Sequence, residues 1–415
     1  MKRALKQIWY DAKCQPVITM VTIAGTAFAI FLISIVIMMN EAKTVPFSPE
    51  MNRDRLLFCP ILMQGTERMS MAGPFDTQTA RDICVNIPGL ERWSISNESP
   101  RTRSVMVENL YPIQANTRTV DGEYWNIYDH KFLHGMPFDS VAVSSARKVA
   151  VISSAIAKKV YATTDVVGRE IKIERIPYKV VGVVENVSPL ATFGYSDIWI
   201  PNEGRQQGCL IMLCEKDADI NDVKDATHRS FEVYRSKQRA SGAEMVLYDI
   251  KTPFTQREYM LMGQNVMESP DLEKDNDRQF VIYLILLLVP AINLAGMSQS
   301  RLRQRVADIG VRRAFGGTRI SVFLSVLLEN MIVTLAGAVI GLMAALAFAL
   351  FGADLVFGDT QLMVSTSTVY IGNVLHWSTF AWIVAFCFIL NMLSSGLPAL
   401  QAARMSPVKA LSVKK

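Results

Sequence analysis

The sequence predicts an α-helical integral membrane protein with four transmembrane helices and a large mixed α/β extracytoplasmic domain between helices 1 and 2. Three observations predict this fold class. Four long apolar runs stand in a 415-residue chain that is half hydrophobic yet 20% charged, so greasy and polar material is segregated along it. The net positive charge collects in three short segments beside those runs. Between the first and second runs, residues 40–279 alternate strand-like and helix-like patterns broken by turn residues.

The elements follow in order. Residues 1–16 form a basic, amphipathic cytoplasmic segment, and 17–39, "VITMVTIAGTAFAIFLISIVIMM", is 23 residues without a charge. At roughly 1.5 Å per residue this run covers about 34 Å, enough for a hydrocarbon core of about 30 Å. It is too long for the apolar part of a signal peptide, and "MMNEAKTVP" offers no small-x-small cleavage site, so it reads as a retained anchor. The second span is 280–297, the third 321–351 and the fourth 380–400. A cytoplasmic loop at 298–320 and a short extracytoplasmic loop at 352–379 connect them, and 401–415 is a cytoplasmic tail.

Charge sets the orientation. Residues 1–16 carry Lys2, Arg3, Lys6 and Lys13 against Asp11; 298–320 carry six arginines against Asp308; the tail carries Arg404, Lys409, Lys414 and Lys415 with no acid. Residues 41–279 hold 29 basic and 33 acidic side chains. The positive-inside rule places both termini and the arginine loop in the cytoplasm and 41–279 outside.

Within the outer domain, 45–73 reads as irregular, punctuated by Pro46, Pro49 and Pro60. "DTQTARDICVNIPGLERW" (76–93) reads as a helix capped by Asp76 with Ala80, Ile83 and Cys84 on its apolar side, ended at Pro88-Gly89. "RSVMVENLYPI" (103–113) alternates weakly, as an edge-exposed strand does. The clearest pattern spans 147–201: a strand "KVAVIS", a helix "SAIAKKVYA" capped by Ser153 or Ser154, then "DVVGREIKI", "YKVVGVVEN" and "DIWIP" as strands. Residues 217–240 are charged and mostly helical, and 270–279 is a charged lead into the second span.

No catalytic motif emerges. The phosphate-cradling G-x-x-x-x-G-K-[S/T] is missing, as are H-E-x-x-H and G-x-S-x-G, so no catalytic, cofactor-binding or metal-ligating residue is assigned to this chain. "SARK" (145–148) matches S-x-x-K without its companion motifs. His130 and His134 stand four apart, but Gly135 and Pro137 argue against a helix, and a partly exposed loop is expected there. Cys59, Cys84, Cys209 and Cys214 all fall in the outer domain, where three disulfide pairings or four free core thiols are equally open.

The intramembrane polar groups say more. Glu329, early in the third span, faces protein or water as a gate or interhelical contact, or sits at headgroup level. Gly337 and Gly341 form a G-x-x-x-G that lets two helix backbones approach closely. Asn293 and Asn391 are further interhelical hydrogen-bonding candidates, and Pro290 is expected to kink the second span.

"RLRQRVADIGVRRAFGG" (301–317) puts Leu302, Val306 and Ile309 on one helical stripe, spreads arginines around the rest and stops at Gly316-Gly317. A headgroup-bound juxtamembrane helix fits this pattern. So does a docking helix whose arginines meet acidic partner groups. Nucleic acid is not an expected partner of so tethered a loop.

The segment 293–342 resembles the region joining the second and third spans of FtsX-like permeases of the MacB type. Ile309, Gly310, Arg312, Ala314 and Gly316 match that family's pattern, with Asp308 where Glu is usual and Gly317 where Ala is usual. "LPALQAARMSPVKAL" resembles the family's ending, and 120–201 reads like its periplasmic core domain. The resemblance implies the permease subunit of an ABC transporter in the inner (cytoplasmic) membrane, non-catalytic itself, with ATP held by a separate ABC ATPase. It implies that Arg305, Ile309, Gly310, Arg312, Arg313, Ala314 and Gly316 couple to that ATPase, and that two permeases pair as a homodimer or heterodimer. Motion would pass to the outer domain by mechanotransmission, for export of a peptide or amphiphilic compound through a periplasmic adaptor and an outer-membrane duct. An FtsX-like control of a cell-wall hydrolase or sensor, or lipoprotein release, would use the same plan.

Overall fold

The computed structural model describes residues 16–65, 70–107, 111–202, 207–242, 246–247, 252–262, 270–304, 311, 315–316, 318–351 and 377–404. Its chain divides into two compact units: Met1–Glu41, Glu273–Ala353 and Val374–Lys415 in one, Ala42–Leu272 with Asp354–Asn373 in the other. In chain order the longer helices are α1 (Pro16–Thr44), α2 (Thr77–Cys84), α3 (Ser154–Tyr161), α4 (Ile220–Ala240), α5 (Gln256–Met262), α6 (Leu272–Gln304), α7 (Arg319–Phe351) and α8 (Trp377–Arg404).

Among the described residues of the helical unit, three helices are long and apolar enough to cross a membrane. The qualifying stretches are Thr19–Glu41 in α1, Leu272–Gly296 in α6 and Arg319–Ala349 in α7. The fourth expected run is helical as α8, and its apolar part, Ala381–Gly396, is shorter than the stretches of the other three. Ile30, Ile33 and Ile37 of α1 pack with Ala338 of α7 and with Ile383 and Cys387 of α8; Tyr283 and Leu286 of α6 close the cluster. The helix α6 continues through Pro290 without a break, and the charged lead expected at 270–279 is already its first turns.

The other unit is built on β1 (Leu56–Cys59), β2 (Leu90–Ser96), β3 (Arg101–Met106), β4 (Ile113–Val120), β5 (Val149–Ser153), β6 (Glu170–Ile173), β7 (Ile176–Val184), β8 (Ile198–Pro201) and β9 (Gln207–Cys214). Six of them close a ring in the order β8-β5-β7-β6-β3-β4, because β4 pairs back to β8 in parallel, Ile198 opposite Thr117. The sheet then runs on from β4 through β2 and β9 to β1 and the short strand Phe254–Thr255. The ring holds its own core, with Ile152, Ile156, Val160, Ile171, Val180 and Ile198 among its members.

Where the sheet continues, both faces are covered. Cys209, Ile211 and Leu213 of β9 enter one core, and Leu210, Met212 and Cys214 enter the other, under α2 and α4. A strand buried on both faces reads as a continuous apolar run rather than an alternating one. Hence β1 lies where an irregular stretch was expected, and three of its four residues are Leu or Phe. The strand expected to sit at an edge, β3, is interior, because ring closure gives it β6 on one side and β4 on the other. Asp76 caps α2 by accepting from the Gln78 and Thr79 amides, and Ser153 Oγ accepts from the Ile156 amide to cap α3.

Candidate functional site

Two places in the molecule concentrate structure around function-bearing residues, one in each unit. In the helical unit it is the seam between α1 and α7. A Cβ placed on Gly337 would lie 2.7 Å from Thr26 Cβ and 3.0 Å from the Ile23 carbonyl oxygen, and one on Gly341 would lie 2.4 Å from the Ala27 carbonyl oxygen. The two backbones are therefore in contact, and only glycine fits at either position. Thr26 makes this possible by donating its hydroxyl to the Thr22 carbonyl at 2.8 Å within its own helix. Nearer the start of α7, buried Asn391 of α8 donates to the Leu327 carbonyl at 3.4 Å. Glu329 lies on α7, and its side chain is outside the described residues, as is that of Asn293.

Of the residues expected to couple to an ATPase, Arg305, Ile309, Gly310, Arg312, Arg313 and Ala314 lie outside the described residues. Gly316 is described. It sits in a turn at φ +93°, the left-handed conformation that ends a helix without a Cβ penalty. Thr318 then opens α7, accepting the Ser321 amide on its hydroxyl at 3.2 Å.

In the α/β unit, one loop, 188–196, gathers the chain around it. Glu50 Oε1 accepts the amides of both Phe193 and Gly194 at 2.9 Å. Its other oxygen takes Arg53 Nε at 2.7 Å, and Arg53 Nη2 reaches the Leu190 carbonyl at 2.7 Å. Pro49 comes so near Gly194 that a Cβ there would meet its ring at 2.6 Å. Arg118, fully buried on β4, donates to the Tyr195 carbonyl at 3.0 Å, the Thr192 carbonyl at 3.2 Å, Ser96 Oγ at 3.1 Å and the Asn97 carbonyl. From the other end of the domain, Gln256 donates to Thr192 Oγ1 at 3.2 Å and Tyr259 packs on Phe193 with ring centres 5.4 Å apart. The chain following α1 and the chain preceding α6 thus both end on this loop.

Tyr124 ties the same loop to the aromatic core. Its hydroxyl donates to the Phe193 carbonyl at 2.8 Å and accepts from Trp199 Nε1 at 3.1 Å, with His130 Nε2 at 3.3 Å. The oxygen's remaining acceptor site makes His130 Nε2 the donor, so the ring is the Nε2–H tautomer. Burial holds the His130 imidazole down at about 3, and the nearby Arg118 charge adds to it. His130 is thus neutral and enclosed, not on the partly exposed loop expected for it, because Trp125, Tyr124 and Trp199 surround it. His134 lies apart, beside Thr164 Oγ1 at 3.3 Å. Among the described residues no group of three or more His, Cys, Asp or Glu side chains is placed to hold a metal.

The four cysteines of this unit are free and buried. Burial pushes the Cys84 thiol up to about 12 and Cys214 to about 11, and raises Cys59 and Cys209 as well, so all four stay protonated and unreactive. Ser145 of the "SARK" stretch donates to the Val141 carbonyl at 2.5 Å, and Lys148 lies over the Tyr178 ring.

Residues 17–229, more than half of the chain, match the model of the MacB-like periplasmic core domain, and residues 280–407 match that of the FtsX-like permease C-terminal domain. The chain belongs to the MacB/FtsX-type ABC transporter permeases. Among relatives, an uncharacterized ABC transporter permease YknZ of Bacillus subtilis is 22% identical over 72% of this chain and 70% of its own. The macrolide export ATP-binding/permease protein MacB of Escherichia coli K12 is 24% identical over 73% of this chain. The chain spans 44% of the MacB sequence's length. Among solved structures, the periplasmic region of MacB from Actinobacillus actinomycetemcomitans aligns over 52% of this chain and 94% of its own, with 12% identity and a TM-score of 0.37. A domain of a putative permease from Porphyromonas gingivalis aligns over 48% and 88%, with 13% identity and a TM-score of 0.38. Membership of this permease family implies an ABC ATPase partner.

None of Glu50, Arg53, Arg118 and Tyr124 was singled out from the sequence. Their one trace there is a set of charged and hydroxylated residues in short apolar contexts, as in "QANTRTV".

Proposed function

We propose that this permease is a mechanotransmission subunit. ATP-driven motion of an ABC ATPase enters through the segment 298–320, with Arg305, Ile309, Gly310, Arg312, Arg313, Ala314 and Gly316 as its contact surface. It leaves through the α/β unit, where a peptide or amphiphilic compound is moved outward. The chain crosses the inner membrane four times with both termini in the cytoplasm, two copies pair around two ATPases, and a periplasmic adaptor and outer-membrane duct complete the route.

The observation that carries this reading is the loop 188–196. Chain leaving α1 at Val45–Arg53 and chain approaching α6 at 252–262 are locked to the same short backbone stretch by buried charge and aromatic packing. A displacement of either leg is felt at one rigid point, and packed interiors transmit strain rather than absorb it. Asp308 and the six arginines of 298–320 supply the charge for a partner surface on the opposite flank of the spans.

Arg312→Glu with Arg313→Glu tests the reading. Co-purification of the double variant with the ATPase is expected to fall at least tenfold, and stimulation of hydrolysis to disappear, while the permease still elutes as a folded species. Undiminished capture and stimulation would remove the coupling assignment.

A further inference from the structure

Among the described residues, four phenylalanines are largely exposed: Phe28, Phe280, Phe315 and Phe388. Three of them lie inside apolar helical stretches, Phe28 in Thr19–Glu41, Phe280 in Leu272–Gly296 and Phe388 in Ala381–Gly396. Hydrocarbon covers a side chain in such a place. Phe315 falls in none of these stretches and is 89% exposed. It stands before the apolar stretch of α7, which opens at Arg319. Neither a protein core nor the hydrocarbon layer accounts for its ring.

The backbone fixes how that ring is presented. The Phe315 amide donates to the Val311 carbonyl at 3.1 Å, closing a helical turn. A spacing of four puts Val311, itself exposed, on the same face as Phe315. Gly316 follows at φ +93°, so the turn ends at the aromatic residue. Thr318 then starts α7 afresh, its carbonyl accepting the Val322 amide at 3.2 Å. The ring is therefore held at a helix end that does not run on into the span. Around it, residues 298–320 carry six arginines against one aspartate.

We infer that Phe315, with Val311 beside it, is the apolar anchor by which this permease holds its ABC ATPase, seated in an apolar pocket of that subunit. The inference rests on the reading of 298–320 as the ATPase contact, and it adds what carries the affinity there. The family of the C-terminal domain implies the partner. Arginines at the rim of a contact speed encounter and are screened by salt, but they contribute less once the surfaces have met. Binding energy concentrates instead in a few side chains that lose all their water, aromatic ones prominent among them. A membrane surface suits this residue less well. Headgroup belts are built from Trp and Tyr, whose rings carry a polar end, and Phe315 has none.

The test first replaces Phe315 with the photoactivatable p-benzoylphenylalanine in the full-length permease, in native membranes. Irradiation is expected to give an adduct whose peptides include the G-x-x-x-x-G-K-[S/T] motif of an ATPase. The same replacement at Leu324, exposed within the α7 stretch, should give lipid adducts. The ATPase so identified is then purified, and its binding to the solubilised permease is measured at about 0.1 M and about 1 M salt, where the screening length is about 10 Å and about 3 Å. Phe315→Ala is expected to weaken binding at least about tenfold at both salt concentrations, and Phe315→Leu to lose less. The deficit of Arg312→Glu with Arg313→Glu should shrink at the higher one. Size-exclusion elution reports that each variant is folded. Irradiation that yields no ATPase adduct at Phe315, or an alanine variant that binds like the wild type, would overturn the anchor. If the arginine variant alone loses the ATPase, the coupling reading stands without the anchor; if neither variant does, both fall.

Discussion

Arg53 Nε lies 2.7 Å from Glu50 Oε2, with the two side chains 0% and 1% exposed, and neither group has water to fall back on. Arg53 also stacks over Phe47, its guanidinium carbon 4.1 Å from the ring centre. Breaking a buried pair from one side is much worse than never having had it, because the surviving charge is stranded. Arg53→Met is therefore expected to cost about 3–5 kcal/mol by leaving the Glu50 carboxylate uncompensated. Adding Glu50→Gln should recover part of that loss, since the amide oxygen still accepts from Phe193 and Gly194. Thermal unfolding of the two variants in detergent checks the order. If Arg53→Met melts with the wild type, loop 188–196 is not held by this pair.

The α1–α7 seam makes a second prediction. Gly341→Leu forces a side chain against the Ala27 backbone, which cannot rotate away as a side chain can, and is expected to cost at least about 1–3 kcal/mol. Gly396→Ala, where nothing lies within 4 Å, serves as the control and should be neutral. Loss of the monodisperse elution peak for the first and not the second is the expected result.

How much of this was legible beforehand depends on where each signal is stored. The caps at Asp76 and Ser153, the buried side of α2 and the alternating β7 are local, set by a residue and its near neighbours, and they read directly from the chain. The strands β1 and β9 are not local in that sense. Both of their faces are covered, and the two strands, about 150 residues apart, pair with each other, so burial removes the alternation that announces a strand. Ring closure through β4 and β8 links residues about eighty positions apart, and Arg53 meets Leu190 across 137. An arginine such as Arg118 looks exposed in its own heptapeptide; only the fold turns it inward, where Tyr195, Thr192 and Ser96 satisfy it. The glycine pair was visible as a motif, while its partner helix was not.

His130 gives the α/β unit a pH dependence whose sign can be worked out. Its folded value, about 3, lies below the ordinary 6.5, so the folded state binds fewer protons than the unfolded one between those limits. Stability from this group is present above about pH 6.5 and is lost as pH falls toward 3, at up to about 1.4 kcal/mol per unit. His130→Phe should flatten that part of the stability–pH curve, since Trp199 Nε1 still donates to the Tyr124 hydroxyl. Urea unfolding followed between pH 7 and 4 compares the slopes. Parallel curves for the two proteins would mean that the imidazole is hydrated in the folded state.

The hairpin joining β6 to β7 carries a correctable strain. Ile173 pairs with Ile176, so the loop is the two residues Glu174 and Arg175, and both have positive φ, 49° and 71°. That is the arrangement of a type I′ turn, whose twist suits a tight hairpin but whose backbone favours Asn-Gly. A side chain at positive φ costs roughly 1–2 kcal/mol. The exposed Glu174 carboxylate lies 3.8 Å from Arg103 Nη1, an ion pair of little net value. Arg175→Gly should relieve more than it loses, although a glycine also gains entropy in the unfolded chain, and a net stabilisation of about 0.5–1 kcal/mol is expected. Arg175→Val should destabilise, because a β-branched side chain fits that conformation worst. The pair is best measured together by thermal unfolding. Opposite shifts in midpoint report backbone strain, and equal shifts would point to the lost arginine side chain.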